Sequence, residues 1–211
     1  MDKRRVAILI YPDVEVLDFA GPFEVFSVAS QIHDDRYFDV GLVAADLDPV
    51  ASINGMKVCP NYRFDGCPPP DVLVLAGGNG SRNAMADPAL LRWVDAAAEQ
   101  AGIVLSVCSG ARILAALGRL HATEVTTHHQ VFDDIAELEP SARLRPDLRF
   151  VDAGRIVTSG GISAGIDASF HVVARLLGVD VARRTARYME YHWVPDRDYA
   201  EPAGSARTDA S

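Results

Sequence analysis

The chain has 211 residues, of which 49% are hydrophobic and 23% are charged, and its formal net charge is −9 at pH 7. These proportions are typical of a globular protein with a sizeable core, and the length predicts one domain or at most two small ones. The acidic balance argues against a nucleic-acid partner, because such binding depends on Lys and Arg side chains that contact phosphates.

The cysteine content and the apolar segments indicate the compartment. Three cysteines are an odd number and do not suggest a disulfide framework. The apolar run near the N-terminus breaks at Pro12 and Asp13, which is too early for a signal peptide. No apolar stretch approaches the roughly 20 residues that a membrane-spanning helix needs. We therefore expect a cytoplasmic protein with reduced thiols and no membrane partner.

Strands and helices are predicted to alternate through the first half of the chain. RVAILIY is a continuous apolar run rich in β-branched residues, as in buried parallel strands, and residues 17–30 follow it with helical spacing. Asn54 and Gly55 predict a hairpin after the second strand. Asp87 before Pro88 predicts the start of a helix after the third strand. The predicted strands span residues 5–11, 38–45, 71–78 and 102–107.

The second half continues the pattern. A helix is predicted to begin just after Cys108 and to end near Gly118, and EVTTHH is a short strand that runs into a polar turn. An Ala-Gly pair at 153–154 marks a second hairpin, and two more helices follow it. The first of these helices carries an apolar stripe, which predicts a buried face. The stripe consists of Ile162, Ile166, Phe170, Val173 and Leu177.

This alternation predicts an α/β fold, a flavodoxin-like three-layer sandwich with a mainly parallel central sheet flanked by helices. We expect a single domain over residues 1–194. Residues 195–211 are polar and rich in Pro, Ala and Asp, so we expect a flexible C-terminal tail there. In such sheets, ligands bind at the carboxyl ends of the strands.

Cys108 lies where a predicted strand turns sharply into a helix, as in the nucleophile elbow of hydrolases. The helix N-terminus is expected to stabilise a thiolate and to lower the pKa of the thiol. Ser109 and Gly110 are small enough for a tight turn, and their amides could point at a developing anion. The alternative is a buried structural cysteine, which is common among free cysteines. The placement favours a nucleophile.

Two other features lie at the same predicted edge of the sheet. Asp18 by itself favours a cap of the helix that follows it, and its functional alternative is a general acid or base near Cys108. Gly77 and Gly78, in the segment AGGNG, belong either to a plain loop or to an oxyanion hole built from backbone amides. The GxGxxG spacing of a dinucleotide site is absent.

The segment TTHHQ supplies His128, which could pair with Cys108 as a catalytic base, whereas His129 is expected to be solvated. The sequence offers no set of ligands at a spacing typical of a metal site. Several other reactive residue types are interpreted as structural or surface residues. They are Cys59, Cys67, His33, His121, His171, His192 and Asp167.

Taken together, these segments resemble the ThiJ/PfpI superfamily, which has a class I glutamine-amidotransferase-like fold. The resemblance runs over residues 6–191 and rests on five segments in the same order. They are YPDVEVLDFAGPFEVF, DVLVLAGGNG, SVCSGARILAALGRL, ATEVTTHH and TSGGISAGID. Members of the superfamily typically form dimers, so the resemblance implies a homodimer.

The residues around the cysteine indicate the branch of the superfamily. PfpI-type proteases have a histidine directly after the nucleophile, where this chain has Ser109, and the glyoxalase and deglycase branch has a glutamate in place of Asp18. An aspartate in LDxxGP with a hydroxyl residue after the cysteine resembles the isocyanide (isonitrile) hydratases. Those enzymes usually have Thr at the position of Ser109 and Trp at the position of His129, a change that affects the pocket wall.

The resemblance implies that the Cys108 thiolate adds to the terminal carbon of an isocyanide and forms a thioimidate. Asp18 would move the proton and direct water to the same carbon, which releases an N-substituted formamide. Ser109 and the backbone of Gly77 and Gly78 would position substrate or water. Sulfur supplies the nucleophile and the protein supplies the proton, so this chemistry requires no metal or organic cofactor.

Two alternatives stay open. A glyoxalase-like, amidase-type or protease-type hydrolase would need His128 within hydrogen-bond reach of the sulfur. A redox or ligand sensor without catalysis would need a low-pKa Cys108 that oxidises readily. The TTH and GGISAGID segments also resemble the ligand-sensing domain of some AraC-type regulators, for whose DNA-binding domain this length leaves no room.

Overall fold

The computed structural model describes residues 3–195 and the short strand at 199–200. The strands are β1 (Arg4–Leu9), β2 (Phe38–Ala44), β3 (Val50–Ala51), β4 (Lys57–Val58), β5 (Tyr62–Arg63), β6 (Val72–Leu75), β7 (Ile103–Val107), β8 (Glu124–Val125), β9 (Arg143–Leu144), β10 (Phe150–Asp152), β11 (Ile156–Ser159) and β12 (Tyr199–Ala200). The α-helices are α1 (Val16–Gln31), α2 (Ser81–Ala84), α3 (Pro88–Gln100), α4 (Ala111–Ala116), α5 (Phe132–Leu138), α6 (Ala164–Leu177) and α7 (Val179–Tyr188).

The main sheet is mainly parallel and has the strand order β12-β10-β11-β7-β6-β1-β2-β5. In its middle, Ile8 of β1 pairs with Leu42 of β2 on one side and with Val74 of β6 on the other. The four apolar runs of the sequence form β1, β2, β6 and β7, side by side, because strands covered on both faces need apolar side chains on both. The predicted α/β fold with a mainly parallel sheet is confirmed.

Helices cover both faces of this sheet. Helices α1, α6 and α7 pack against one another, and α1 and α6 contact central strands. Helix α3 joins β6 to β7, in the opposite direction along the sheet from the connection that α1 makes between β1 and β2. Right-handed crossovers therefore place α3 on the other face. The carboxyl ends of β1, β6 and β7 meet where the two directions diverge, which is the usual ligand position in such sheets.

The predicted turns and caps lie where the sequence indicated them. Gly55 between β3 and β4 has φ 82°, and Gly154 between β10 and β11 has φ 88°, so both hairpins turn at a residue without a Cβ. Asp87 caps α3, since its Oδ1 accepts a 2.8 Å hydrogen bond from the amide of Ala89. Gly118, with φ 66°, follows the end of α4.

Two details differ from the sequence-based expectation. The predicted apolar stripe includes Ile162, but α6 begins at Ala164, and Ile162 lies before it with φ 54° and 42% of its surface exposed. The helical spacing of the sequence continues backwards from α6 into the turn that follows Gly160 and Gly161. Ile162 lies in this turn, which directs its side chain toward solvent. After β7, the chain forms a 3-10 turn at Cys108–Gly110 before α4, which has six residues.

The expected tail lies partly outside the described residues, namely at 196–198 and 201–211. In the described part of this expected tail, Tyr199–Ala200 form β12, which runs parallel to β10 at the edge of the sheet. The domain boundary after residue 194 stays a prediction. No helix in the described part of the chain is long and apolar enough to cross a bilayer.

Candidate functional site

The backbone holds Cys108 in a strained turn at the end of β7. Its φ is 57°, a left-handed conformation that a residue other than glycine rarely adopts. Its amide donates to the carbonyl of Gly160 over 3.2 Å, and its carbonyl accepts a 2.7 Å hydrogen bond from the hydroxyl of Thr127. A Cβ on Gly110 would collide with the carbonyl oxygen of Leu75, so only glycine permits this close approach of the turn to β6.

Asp18 lies in the first turn of α1 and is completely buried. It is not the helix cap that the sequence favoured, because the side chain of Glu15 accepts from the amide of Val16 at the start of α1. Asp18 Oδ2 instead accepts a 3.1 Å hydrogen bond from the amide of Gly77, which lies two residues after the end of β6. Its Oδ1 has no partner of ordinary geometry within residues 3–195.

Burial raises the pKa of both the Asp18 carboxyl group and the Cys108 thiol. The pKa of Asp18 is raised to about 7, mainly by desolvation; the negative charge of Glu15 also raises this pKa, while the neighbouring Cys108 thiol and the amides of Gly77 and Ile162 lower it. Desolvation, followed by the charge of Asp18, raises the pKa of Cys108 to about 12. The amides of Ser109 and Ile162 act in the opposite direction on the thiol.

The expected lowering of the thiol pKa is therefore wrong for this structure. The helix that follows Cys108 is short and is separated from it by a 3-10 turn, so its dipole is weak. The thiol is only 7% exposed, and a carboxyl group lies beside it. Both conditions disfavour a second negative charge, and the resting pair at neutral pH keeps a proton on sulfur.

The two glycines and Ser109 form a compact support for the pair. The Ser109 hydroxyl accepts from the amide of Gly78 over 2.9 Å and donates to its carbonyl over 3.0 Å. A Cβ on Gly77 would lie 2.6 Å from the amide nitrogen of Ser109 and 2.8 Å from Asp18 Oδ2. The amides of Gly77 and Gly78 are thus occupied by a carboxylate and a hydroxyl, and the oxyanion hole predicted from them is not free to bind a substrate anion.

Two residues of the site were not identified from the sequence. Arg112 on α4 is only 4% exposed and donates to the Ser81 hydroxyl over 2.8 Å, and Ser81 in turn donates to Ser109 over 3.1 Å. The sequence signal for Arg112 is its position four residues after the cysteine, where a charged residue stands among apolar helix residues. The second is Ile162, whose amide faces the reacting pair; no feature of its residue type indicates that role.

A cavity of about 230 Å³ opens over Cys108. Polar, charged and apolar side chains line it, together with Gly78 from the segment AGGNG. The lining residues are Glu15, Ile53, Gly78, Asn79, Arg82, Cys108, Ser109, Arg112, His128, Gln130, Val131 and Ile162. The volume is below that of sites for drug-sized ligands, so the cavity suits a small molecule.

His128 lines this cavity, but the structure gives it no hydrogen bond to the sulfur. Its Nδ1 accepts from the amide of Gln130 over 3.3 Å. Desolvation, then the positive influence of His129 and Arg112, lowers the pKa of His128, so its ring is neutral at pH 7. The structure thus brings Cys108, Asp18 and Ser109 together with the two glycines at 77–78. His128 lines the cavity beside them.

The residues interpreted as bystanders lie away from this cavity. Cys59 is exposed and Cys67 is half-buried. Asp167 accepts a 2.8 Å hydrogen bond from Arg149, which fits the structural interpretation of this carboxylate. His129 is exposed, as expected.

Comparison with known proteins adds an independent observation. The model of the DJ-1/PfpI family matches residues 4–175. The isonitrile hydratase of Pseudomonas putida is 34% identical over 198 residues, which cover 94% of this chain and 83% of that protein. The HTH-type transcriptional regulator GlxA of Rhizobium meliloti is 28% identical over 99% of this chain, which spans 62% of the regulator. A crystal structure of a ThiJ/PfpI family protein from Pseudomonas syringae shares 30% identity and superimposes with a TM-score of 0.82, covering 93% of this chain and 78% of that one.

Proposed function

The chain belongs to the DJ-1/PfpI family, and we propose that within this family it is an isocyanide hydratase-like lyase. The match of the family model over residues 4–175 confirms the family resemblance that was predicted from the sequence. The proposed reaction adds water to an isocyanide, R–NC, and releases the N-substituted formamide, R–NH–CHO. The 34% identity to an isonitrile hydratase supports this reaction.

One arrangement carries the proposal: the buried carboxyl group of Asp18 lies beside the turn that holds the buried thiol of Cys108, and this thiol lines a small cavity. A Cβ on Gly77 would lie 2.8 Å from Asp18 Oδ2 and 2.6 Å from the amide nitrogen of Ser109, the residue after the cysteine. An isocyanide carbon must receive both a nucleophile and a proton. A thiol beside a carboxyl group whose pKa is about 7 supplies both at neutral pH, because the carboxyl group can accept a proton and return it.

In the first step, the sulfur of Cys108 attacks the terminal carbon while the Asp18 carboxylate takes the thiol proton. Asp18 then gives this proton to the same carbon, and the product is the thioimidate R–N=CH–S–Cys108. The thiolate forms only as it attacks, so its high resting pKa does not prevent the reaction. The amides of Ser109 and Ile162 stabilise the negative charge that appears on the pair during the transfer.

In the second step, Asp18 takes a proton from a water molecule, whose oxygen adds to the thioimidate carbon. Asp18 returns this proton to the nitrogen, which gives the adduct R–NH–CH(OH)–S–Cys108. Collapse of this adduct breaks the carbon–sulfur bond and releases the formamide, and Asp18 carries the hydroxyl proton to sulfur, which restores the thiol. Ser109 is a positioning residue here, because its hydroxyl is bonded to Gly78 on both its donor and acceptor sides.

The test is turnover of cyclohexyl isocyanide, with the formamide measured by chromatography. We expect product from the wild type, and none above background from Cys108→Ala or Asp18→Asn. Cys59→Ala is the matched control, because this exposed thiol lies outside the cavity, and it should retain full activity. Absence of formamide from the folded wild-type protein would refute the proposal.

A ligand or redox sensor is the second candidate, because this chain also resembles much of a transcriptional regulator. Titration of the wild type with peroxide distinguishes the two. The raised pKa of Cys108 predicts slow oxidation, since the thiolate is the reactive form. Rapid conversion of Cys108 to a sulfinate, without any turnover, would favour the sensor.

The homodimer implied by the family resemblance is also a proposal, and light scattering of the purified protein tests it. A monomeric mass at micromolar concentration would contradict it.

A further inference from the structure

The cavity over Cys108 is lined by basic side chains. Within the described chain, the cavity lining contains two guanidinium groups, on Arg82 and Arg112, and one carboxylate, on Glu15. Glu15 caps α1 and raises the pKa of Asp18, so its charge acts near the reacting pair. His128 contributes no positive charge at pH 7, because its pKa is lowered.

The two guanidinium groups share one counter-ion outside the lining. Asp134 Oδ2 accepts a 2.6 Å hydrogen bond from Nε of Arg112 and forms an ion pair with Nη2 of the same side chain. The same oxygen lies 3.5 Å from Nη2 of Arg82, and the structure shows no other acidic partner for Arg82 among residues 3–195. One carboxylate therefore pairs with both guanidinium groups.

The two side chains have different environments. Arg112 is 4% exposed and its other terminal nitrogen bonds to Ser81, so it is fixed in place. The Arg82 side chain is 64% exposed, and its pairing is long, so its planar fork can turn toward a bound molecule. A guanidinium fork matches the two oxygens of a carboxylate better than any neutral group.

We propose that the substrate that binds over Cys108 carries a carboxylate, and that Arg82, backed by Arg112, binds this carboxylate. Resting on the proposed hydratase activity, this assigns the substrate class: a short isocyano acid, with its isocyanide carbon at the sulfur and its carboxylate at Arg82. The volume of about 230 Å³ limits the spacer between the two groups to a few atoms.

The test uses two isocyanides that differ in charge and by one methyl group: isocyanoacetate and its neutral methyl ester. We expect kcat/KM of the wild type to be about tenfold or more higher for the carboxylate, the size of effect that a charge-assisted pair provides. Arg82→Gln should bring the ratio of the two kcat/KM values close to one. Arg92→Gln, which removes an exposed arginine from α3 outside the cavity, should leave the ratio unchanged.

A ratio of one or less in the wild type, or a ratio that Arg82→Gln does not change, would overturn the inference. Binding of N-formylglycine and of its methyl ester by calorimetry separates this failure from failure of the hydratase proposal. If neither isocyanide is hydrated, tighter binding of the acid that is lost in Arg82→Gln still supports carboxylate recognition. Equal or absent binding of acid and ester then refutes it.

Discussion

Asp18→Asn should stabilise the protein while it removes activity. An aspartate in an unfolded chain has a pKa near 3.8, whereas burial raises it to about 7 in the folded protein. Between these values, the folded state binds more protons than the unfolded state, so stability falls as the pH rises and the loss is complete above about pH 7. Asparagine has a similar shape and no such loss, and its carbonyl can still accept from Gly77.

The difference between the two pKa values sets the magnitude. Roughly three units correspond to about 4 kcal/mol at pH 8, and only about 1.5 kcal/mol of this loss is present at pH 5. The free energy of unfolding of Asp18→Asn should therefore exceed that of the wild type by about 2–3 kcal/mol more at pH 8 than at pH 5.

Urea-induced unfolding followed by circular dichroism, at both pH values, measures this quantity. Asp39→Asn removes an exposed carboxylate on β2 and serves as the control, because it makes the same chemical change at a site that is not buried. If Asp18→Asn is equally or less stable than the wild type at pH 8, or if its gap to wild type does not grow with pH, the raised pKa is wrong and the proton-transfer role of Asp18 loses its basis.

Three further predictions follow from the same site. The kcat/KM for isocyanide hydration should rise with pH through about 7, as the Asp18 carboxylate forms, and a flat profile between pH 5 and 8 would contradict its role as the base. Iodoacetamide at pH 7 should modify the exposed Cys59 well before Cys108, as peptide mass spectrometry would show, and preferential labelling of Cys108 would contradict its raised pKa. Gly77→Ala should destabilise the fold by about 2 kcal/mol or more and abolish turnover, because its Cβ would lie 2.6 Å from a backbone nitrogen. Gly66→Ala, where the nearest side-chain atom would be 3.8 Å away, should change neither quantity, and thermal unfolding with a turnover assay compares the two.

The sequence predicted the architecture well because periodicity and turn residues act locally. The continuous apolar runs gave the central parallel strands, Asn54 and Gly55 gave a hairpin, and Asp87 gave a helix cap. Ile162 shows the limit of this reasoning, because its spacing matches the helix that follows while its backbone lies in a turn before that helix.

The chemistry of the site was less accessible from the sequence. Cys108 and Asp18 were identified, but their protonation depends on burial and on each other, which no local pattern encodes. The role of Arg112 depends on a chain of contacts through Ser81, which lies 31 positions away. The sequence leaves Gly77 and Gly78 open between a plain loop and an oxyanion hole, and only the structure shows that their amides donate to Asp18 and Ser109.

The origin of the site in distant segments has a consequence for the chain during its synthesis. Asp18 comes from the connection after β1, Cys108 from the end of β7, and the carbonyl that fixes the cysteine from Gly160. A ribosome must therefore make three quarters of the chain before the thiol acquires its neighbours. Until then, the backbone of the cysteine lacks its hydrogen bond to Gly160, so we expect an N-terminal fragment that ends before residue 160 to lack the reactivity of the full chain. Cutting the chain between residues 108 and 160 would give two inert pieces, whose recombination could be followed by the return of turnover.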